Sequence, residues 1–262
     1  EHPYVEGFVV NELSRLGSNF RKNEDLNDYL VRNHIPGIQG IDTRALTKLL
    51  RNDGCMNGMI TTHKYEVSEV IDKIKAFKVQ GVVKACTCKE KHTVGTGRMK
   101  VALYDFGAKR NIANELAKRN CEVTVFPATT PASEVLEGNF DGIMLSNGPG
   151  DPAEVTDIIA EVKKLSESGM PIFAICLGHQ LMALAHGFKT EKLKYGHHGA
   201  NHPVKDLDTN RVYISTQNHN YVIKDDSIDP AVAKAWFRNV NDGTIEGVEY
   251  LNKNIKTVQF HP

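Results

Sequence analysis

Three short stretches of the chain carry residue types whose spacing could do chemistry. In Pro171-Ile-Phe-Ala-Ile-Cys176-Leu-Gly178-His-Gln180 an apolar run, Ile172 to Ile175, ends at Cys176. A helical pattern through Leu181, Met182, Leu184 and Ala185 starts within a turn of it and stops at Gly187. The order is strand, sharp turn, helix. A cysteine at such a turn sits beside unpaired N–H groups and the positive end of the helix dipole, which favour thiolate over thiol. Gly178 and the small Ala174 permit a tight turn. This is the logic of a nucleophile elbow with Cys in place of Ser; a buried structural cysteine at a strand end fits the same residues.

The second stretch, Asn147-Gly148-Pro149-Gly150-Asp151-Pro152, follows the strand Gly142-Ile-Met-Leu-Ser146. Taken alone it also reads as an ordinary strand-to-helix turn. Beside Cys176 it becomes a candidate oxyanion hole, with the N–H groups of Gly150 and Leu177 aimed at a tetrahedral oxygen. The third is Val258-Gln-Phe-His261-Pro262, a strand ending in a histidine that could serve as base or be incidental. Ligands of open α/β sheets bind at the carboxyl ends of the strands, where all three stretches would lie. His197, His198 and His202 lack a Cys or carboxylate to complete a metal set, so no metal is expected. His179 reads as a hydrogen-bonded core residue, and His219 as a residue of a polar loop that could line a pocket.

The elements that must position these residues come in two styles. Residues 1 to about 85 form a small α+β unit: a strand within Val5–Leu13, a helix capped by Asn23, one capped by Asp42 with Gly54 just past its end, and one through Val67 to Phe77. Residues 89–99 are polar with Gly95 and Gly97, and read as a linker. Strands at 100–106, 121–126, 141–146 and 172–175 then alternate with helices at 110–119, 133–137 and 153–166, which argues a parallel sheet with helices on both faces. After Gly187 the segments shorten and turn β-rich.

The composition fits a globular protein of about two domains, with 40% hydrophobic and 24% charged among 262 residues. Lys+Arg and Asp+Glu are both 32, so nothing calls for nucleic acid or an anionic membrane. No apolar run reaches the roughly 20 residues of a transmembrane helix, no signal pattern opens the chain, and the five cysteines are scattered, so a cytoplasmic location is expected. The first residue is not Met, and residues are expected to be missing at both ends.

The set Ser146-Asn-Gly-Pro-Gly-Asp-Pro152, Ile175-Cys-Leu-Gly-His-Gln180 and Phe260-His261-Pro262 resembles a class I glutamine amidotransferase domain. Tyr104-Asp-Phe-Gly-Ala-Lys-Arg-Asn-Ile112, Gly196-His-His-Gly-Ala-Asn-His-Pro-Val204, Gln217-Asn-His219 and Asn241-Asp242-Gly-Thr-Ile-Glu-Gly247 are similar to the small-subunit family of carbamoyl-phosphate synthases. So are Ser18-Asn-Phe-Arg21, Asn23-Glu-Asp-Leu26 and Gly40-Ile-Asp-Thr-Arg44. The resemblance covers essentially the whole chain. It implies an α/β protein in which a small N-terminal domain (1–88) and a linker (89–99) precede a glutamine amidotransferase domain (100–262) with a mostly parallel central sheet flanked by helices.

The same resemblance makes Cys176 the nucleophile and His261 the general base. Gly148, Gly150, Leu177, Gln180, Asn218, Asn220 and Tyr221 become contacts to L-glutamine. His219 and Asp242 become supporting residues for glutamine binding or for coupling to a synthetase. It also implies a heterodimer with a large subunit that carries ATP and Mg2+ and makes carbamoyl phosphate for arginine and pyrimidine synthesis. No cofactor is expected in this chain, which has no Gly-x4-Gly-Lys-Ser/Thr. Position 220 is Asn where the family usually has Gly, and Ala174 replaces the usual Gly two before the nucleophile. The family's third triad member, a Glu after the His-Pro pair, is expected beyond Pro262, and the Ser of an Asp-Pro-Ser motif does not occur in the sequence.

Overall fold

The strands Ile143-Met-Leu and Ile172-Phe-Ala-Ile are nearly continuous apolar runs, the pattern of strands covered on both faces. In the computed structural model, which describes Pro3 and residues 5–262, they lie near the middle of a ten-stranded sheet. The chain divides into two units, up to Lys78 and from Val79 to Pro262. In the first, β1 (Phe8–Val9) pairs in parallel with β2 (Gly37–Ile38), beside α1 (Leu26–Arg32), α2 (Thr43–Asp53) and α3 (Val67–Ala76). The cap of α2 forms as its sequence predicts: the Asp42 carboxylate accepts from the Ala45 N–H at 2.9 Å, and Gly54 ends the helix. Asp25, rather than Asn23, occupies the N-cap of α1, and only Phe8–Val9 of the predicted first strand is paired.

The second unit holds α4 (Val82–Cys86), β3 (His92–Val94), β4 (Met99–Asp105), α5 (Arg110–Lys118), β5 (Cys121–Pro127), α6 (Ala132–Glu137), β6 (Gly142–Leu145), α7 (Thr156–Ser166), β7 (Ile172–Ile175) and α8 (Leu177–Ala185). It continues with β8 (Thr190–Asp206), β9 (Val212–Ile223), β10 (Ala233–Asn239), β11 (Ile245–Tyr250) and β12 (Ile255–Val258). The sheet order is β3-β5-β4-β6-β7-β12-β11-β10-β8-β9. The central strands β5, β4, β6, β7 and β12 run parallel, whereas β3 and the arm β11-β10-β8-β9 are antiparallel to their neighbours. One buried cluster joins α7 and α8 to the sheet through Ile158, Val162, Leu165, Leu181 and Met182. Another joins α5 to the opposite face through Ala113, Leu103, Val123 and Val125.

Three expectations change in the second unit. The linker at 89–99 contains β3, which pairs antiparallel with β5 at His92↔Val125 and Val94↔Val123, so these residues belong to the second unit. A three-residue strand is too short to stand out from its polar surroundings. The helix expected over 153–166 is interrupted at Val155 (φ −99°, ψ 57°), leaving a 3-10 turn at Pro152–Glu154 before α7. The segments after Gly187 do not shorten: β8 is 17 residues long, with register shifts on both sides of its Gly196-His-His-Gly portion.

Candidate active site

Because β4, β6, β7 and β12 are parallel, the residues that follow each of them gather at one edge of the sheet. Cys176 follows β7 as the N-cap of α8, with φ 52° and ψ −103°. That conformation costs a non-glycine residue about 1–3 kcal/mol and persists only when the surroundings enforce it. The Cys176 N–H donates to the Val258 carbonyl at 2.8 Å, and the Gly178 N–H donates to the Ser146 carbonyl at 3.0 Å. A Cβ on Gly178 would stand 2.7 Å from the Leu145 carbonyl oxygen, so only glycine lets α8 approach β6 this closely.

The loop after β6 is tied to the loop after β4. Ser146 Oγ accepts from the Phe106 N–H at 2.9 Å, and Asn147 Oδ1 accepts from the Lys109 N–H at 3.0 Å. Asp105 Oδ1 accepts from the Gly107 and Ala108 N–H groups at 2.9 and 2.6 Å. Gly148 and Gly150 (φ +97°) continue this loop, and α8 opens with Leu177 beside Cys176. Among the described residues no oxygen accepts from the Gly150 N–H, and the Leu177 N–H bears on the Cys176 sulfur. His261 follows β12, where its N–H donates to the Thr216 carbonyl at 2.9 Å, so β9 closes over the end of β12.

Electrostatics here differ from the expectation of a ready thiolate. Burial pushes the Cys176 thiol up to about 12; the Leu177 N–H and Lys109 pull it down, as the helix terminus was expected to, but do not win. Burial, and then Lys109, pull the His261 imidazole down to about 4. At neutral pH the pair therefore rests as thiol and neutral imidazole.

The glutamine-contact set divides in two. Gln180 is 3% exposed, and its Nε2 donates to the Tyr221 carbonyl at 2.7 Å and to Gln259 Oε1 at 2.9 Å, so its amide nitrogen holds β9 and the β12 end together. Asn218 and Asn220 lie on the exposed face of β9, their Oδ1 atoms 2.8 and 3.2 Å from His198 Nδ1 and Nε2. The Tyr221 hydroxyl lies at the Asp151 carboxylate of the glycine-proline loop; burial, and then that carboxylate, push it up to about 12. His219 points the other way, into the buried face: its Nδ1 bonds the Tyr221 carbonyl at 2.9 Å, and its Nε2 meets Gln217 Oε1 at 3.0 Å. Burial, then His197, pull it down to about 3, so it is neutral. Asp242 reaches this face through His197, its Oδ2 lying 2.7 Å from His197 Nε2. His179, fully buried, sits 2.7 Å from Thr257 Oγ1 as a core residue.

The residues that sequence reasoning left without a role are Lys109, Gln259, His197 and Glu246. Lys109 bears on both Cys176 and His261. Gln259 is fully buried, and its Nε2, without a partner among the described residues, is near enough to Cys176 to favour the thiolate. Both stood inside motifs of the sequence, but their placement depends on strands meeting across the sheet. His197, His219 and Glu246 bring possible metal-ligand atoms within 4.8 Å of one another. Two of these residues already engage each other, since His197 Nδ1 faces Glu246 Oε1 at 3.3 Å.

This fold, with a cysteine elbow at its carboxyl edge, is that of the class I glutamine amidotransferases, whose family model matches residues 102–262. Residues 1–60 match the CPSase domain of carbamoyl-phosphate synthase small chains. The chain is 46% identical over 262 residues to the carbamoyl phosphate synthase small chain of Clostridium perfringens, covering 100% of this chain and 74% of that one. It is 44% identical over 280 residues to that of Salmonella typhimurium, covering 99% and 73%. The chain belongs to the carbamoyl phosphate synthase small chain family. A solved protein of Thermoplasma acidophilum, assigned to a GMP synthase, shares the fold at 23% identity and a TM-score of 0.54, over 63% of this chain and 84% of that one. No helix among the described residues is long and apolar enough to cross a membrane.

Proposed function

We propose that the chain hydrolyses L-glutamine and passes the ammonia to a large synthetase subunit. The observation that carries this reading is the strained elbow at Cys176, with the Leu177 N–H on its sulfur and His261 at the end of the adjacent strand. Cys176 Sγ attacks the side-chain amide carbon as its proton moves to His261. The Leu177 and Gly150 N–H groups hold the tetrahedral oxyanion. The imidazolium returns the proton to the leaving nitrogen, ammonia departs, and a γ-glutamyl thioester remains. Water, deprotonated by His261, then releases glutamate. The rest state of neutral thiol and neutral imidazole suits this sequence, because the thiolate forms only when an acceptor carbon is in place.

By this reading the substrate lies between the glycine-proline loop and the outer face of β9, where Asn218, Asn220 and Tyr221 meet it. Bicarbonate, ATP and Mg2+ are handled by the large subunit, whose carbamoyl phosphate feeds arginine and pyrimidine synthesis. The test is Cys176→Ser in the assembled complex. Glutamine-dependent carbamoyl phosphate synthesis is expected to fall by at least three orders of magnitude while synthesis from added ammonium is retained. Loss of both activities together would overturn this division of labour.

A further inference from the structure

The short helix α4 lies outside the three stretches that supply the site residues, yet it packs against one of them. A Cβ on Gly150 would stand 2.6 Å from Val82 Cγ2, so a Val82 methyl group fills the place where a side chain at position 150 would lie. Gly150 has φ +97°, a backbone state few other residues adopt. The preceding part of the loop is boxed in from the β4 side: a Cβ on Gly148 would run into the Phe106 carbonyl and the Leu177 side chain, and Pro149 Cδ lies 2.9 Å from where a Cβ on Gly107 would be. The peptide that carries the Gly150 N–H is left to α4. That helix is itself firmly held. Val83 is 2% exposed, in the core shared with Tyr104 of β4 and Leu145 of β6. Just past its end, Thr87 Oγ1 donates to the Asp105 carbonyl at 2.6 Å and accepts from the Ala128 N–H at 2.8 Å, and the Cys88 N–H donates to Asp105 Oδ2 at 2.7 Å. A cavity of about 100 Å³ lies between α4 and the loop, lined by Val82, Pro149, Gly150 and Asp151 among others. The backbone at Gly150 therefore has room to move once the Val82 side chain is cut back.

We infer that Val82 is a positioning residue of the oxyanion site: its β-branched side chain, braced by α4, holds the Pro149-Gly150 peptide so that the Gly150 N–H stays directed at the oxygen that becomes charged. The inference rests on the reading of Gly150 and Leu177 as the oxyanion donors. Val82 acts through Gly150 and not on the substrate, and the Leu177 N–H, fixed by the start of α8, is untouched by it. Donors in such a site work because they are aimed before the charge forms, and a misplacement of about 1 Å can cost about a hundredfold in rate.

The experiment compares three variants in the assembled complex by glutamate release and by Cys176 alkylation with iodoacetamide, resolved at the Cys176 peptide so that the other four thiols do not contribute. Alkylation displaces iodide from a saturated carbon and forms no oxyanion, so it reports the nucleophile without the donor. Val82→Ala removes the methyl groups. Val82→Ile keeps the branch at Cβ and extends into the cavity, whereas its isomer Val82→Leu moves the branch one carbon out and withdraws a methyl from Gly150. The Ala and Leu variants are expected to lose about ten- to a hundredfold in kcat with KM held within about twofold, while the Ile variant keeps the rate of the unaltered chain. Alkylation is expected to stay within about twofold in all three. Equal kcat in the Ile and Leu variants, a loss confined to KM, or a matching loss in alkylation would each overturn the inference, the last because the elbow rather than the donor would have been disturbed. If Val82→Ala does not fold, the two isomers decide, being alike in composition and close in volume. Should Cys176→Ser retain glutamine turnover, the reading of the site fails and the oxyanion assignment with it, whereas Val82 variants that act alike leave the Cys176 reading in place.

Discussion

Among the described residues, Lys109 is the one charge that bears on both members of the proposed pair. It favours the Cys176 thiolate and disfavours the His261 imidazolium, so it biases the site toward a free base and an ionisable thiol. With His261 pulled down to about 4, the base stays unprotonated to well below neutral pH. The acid limb of glutaminase kcat/KM that belongs to His261 is therefore expected near pH 4. In Lys109→Met that limb should move up, because the positive charge that disfavours the imidazolium is gone, while Cys176 alkylation slows. An unmoved limb would mean that Lys109 does not act on His261. Cysteine, histidine and the glycine-proline loop were legible in the sequence because each type has a recognisable chemical use. Lys109 was not, because its role exists only once the loop after β4 meets the end of β7. The acidity of Cys176 was misjudged for a related reason: helix-terminus stabilisation is local and readable, whereas burial at 4% exposure is a property of the assembled fold.

Among the elements, α8 must press against β6 for the elbow to hold its shape, and Gly178 is where they touch. Replacing it with alanine gains up to about 1 kcal/mol of helix propensity. The new Cβ would meet Leu145 backbone at 2.7 Å, and such overpacking costs about 1–3 kcal/mol, so the clash is expected to win. Gly178→Ala should lower the Tm by several degrees and slow glutamine turnover, measured by thermal unfolding and glutamate release; an unchanged Tm would show that α8 can shift at no cost. The parallel half of the sheet was readable because its strands are short apolar runs with helices between them. The antiparallel arm was not: Gly196-His-His-Gly-Ala-Asn-His has no two-residue alternation, yet it lies in β8 because His197 and His198 pair with His219 and Asn218 across the register. That pairing also moved His219 off the polar loop where its sequence neighbours suggested it belonged, and onto the buried face.

Across the whole molecule, burial is unevenly shared. Among the described residues before Val79, Leu30 is the one large apolar side chain that is buried, while Leu16, Phe20, Leu49, Met56 and Phe77 are exposed. Amides of α1 to α3 are accordingly expected to exchange with deuterium orders of magnitude faster than those of β4, β6 and β7, as measured by mass spectrometry on the intact chain. Equal protection would mean that contacts outside this set of buried side chains stabilise the first unit. The order of the strands has a temporal side. β12 follows every other strand in sequence yet lies between β7 and β11, joining the parallel half to the antiparallel arm. On a ribosome, Cys176 and its helix emerge well before the strand that receives the Cys176 N–H and leads to His261. A growing chain thus holds the cysteine without the strand that completes its surroundings, and free glutamine in the cell meets a working site only after the centre of the sheet has been filled.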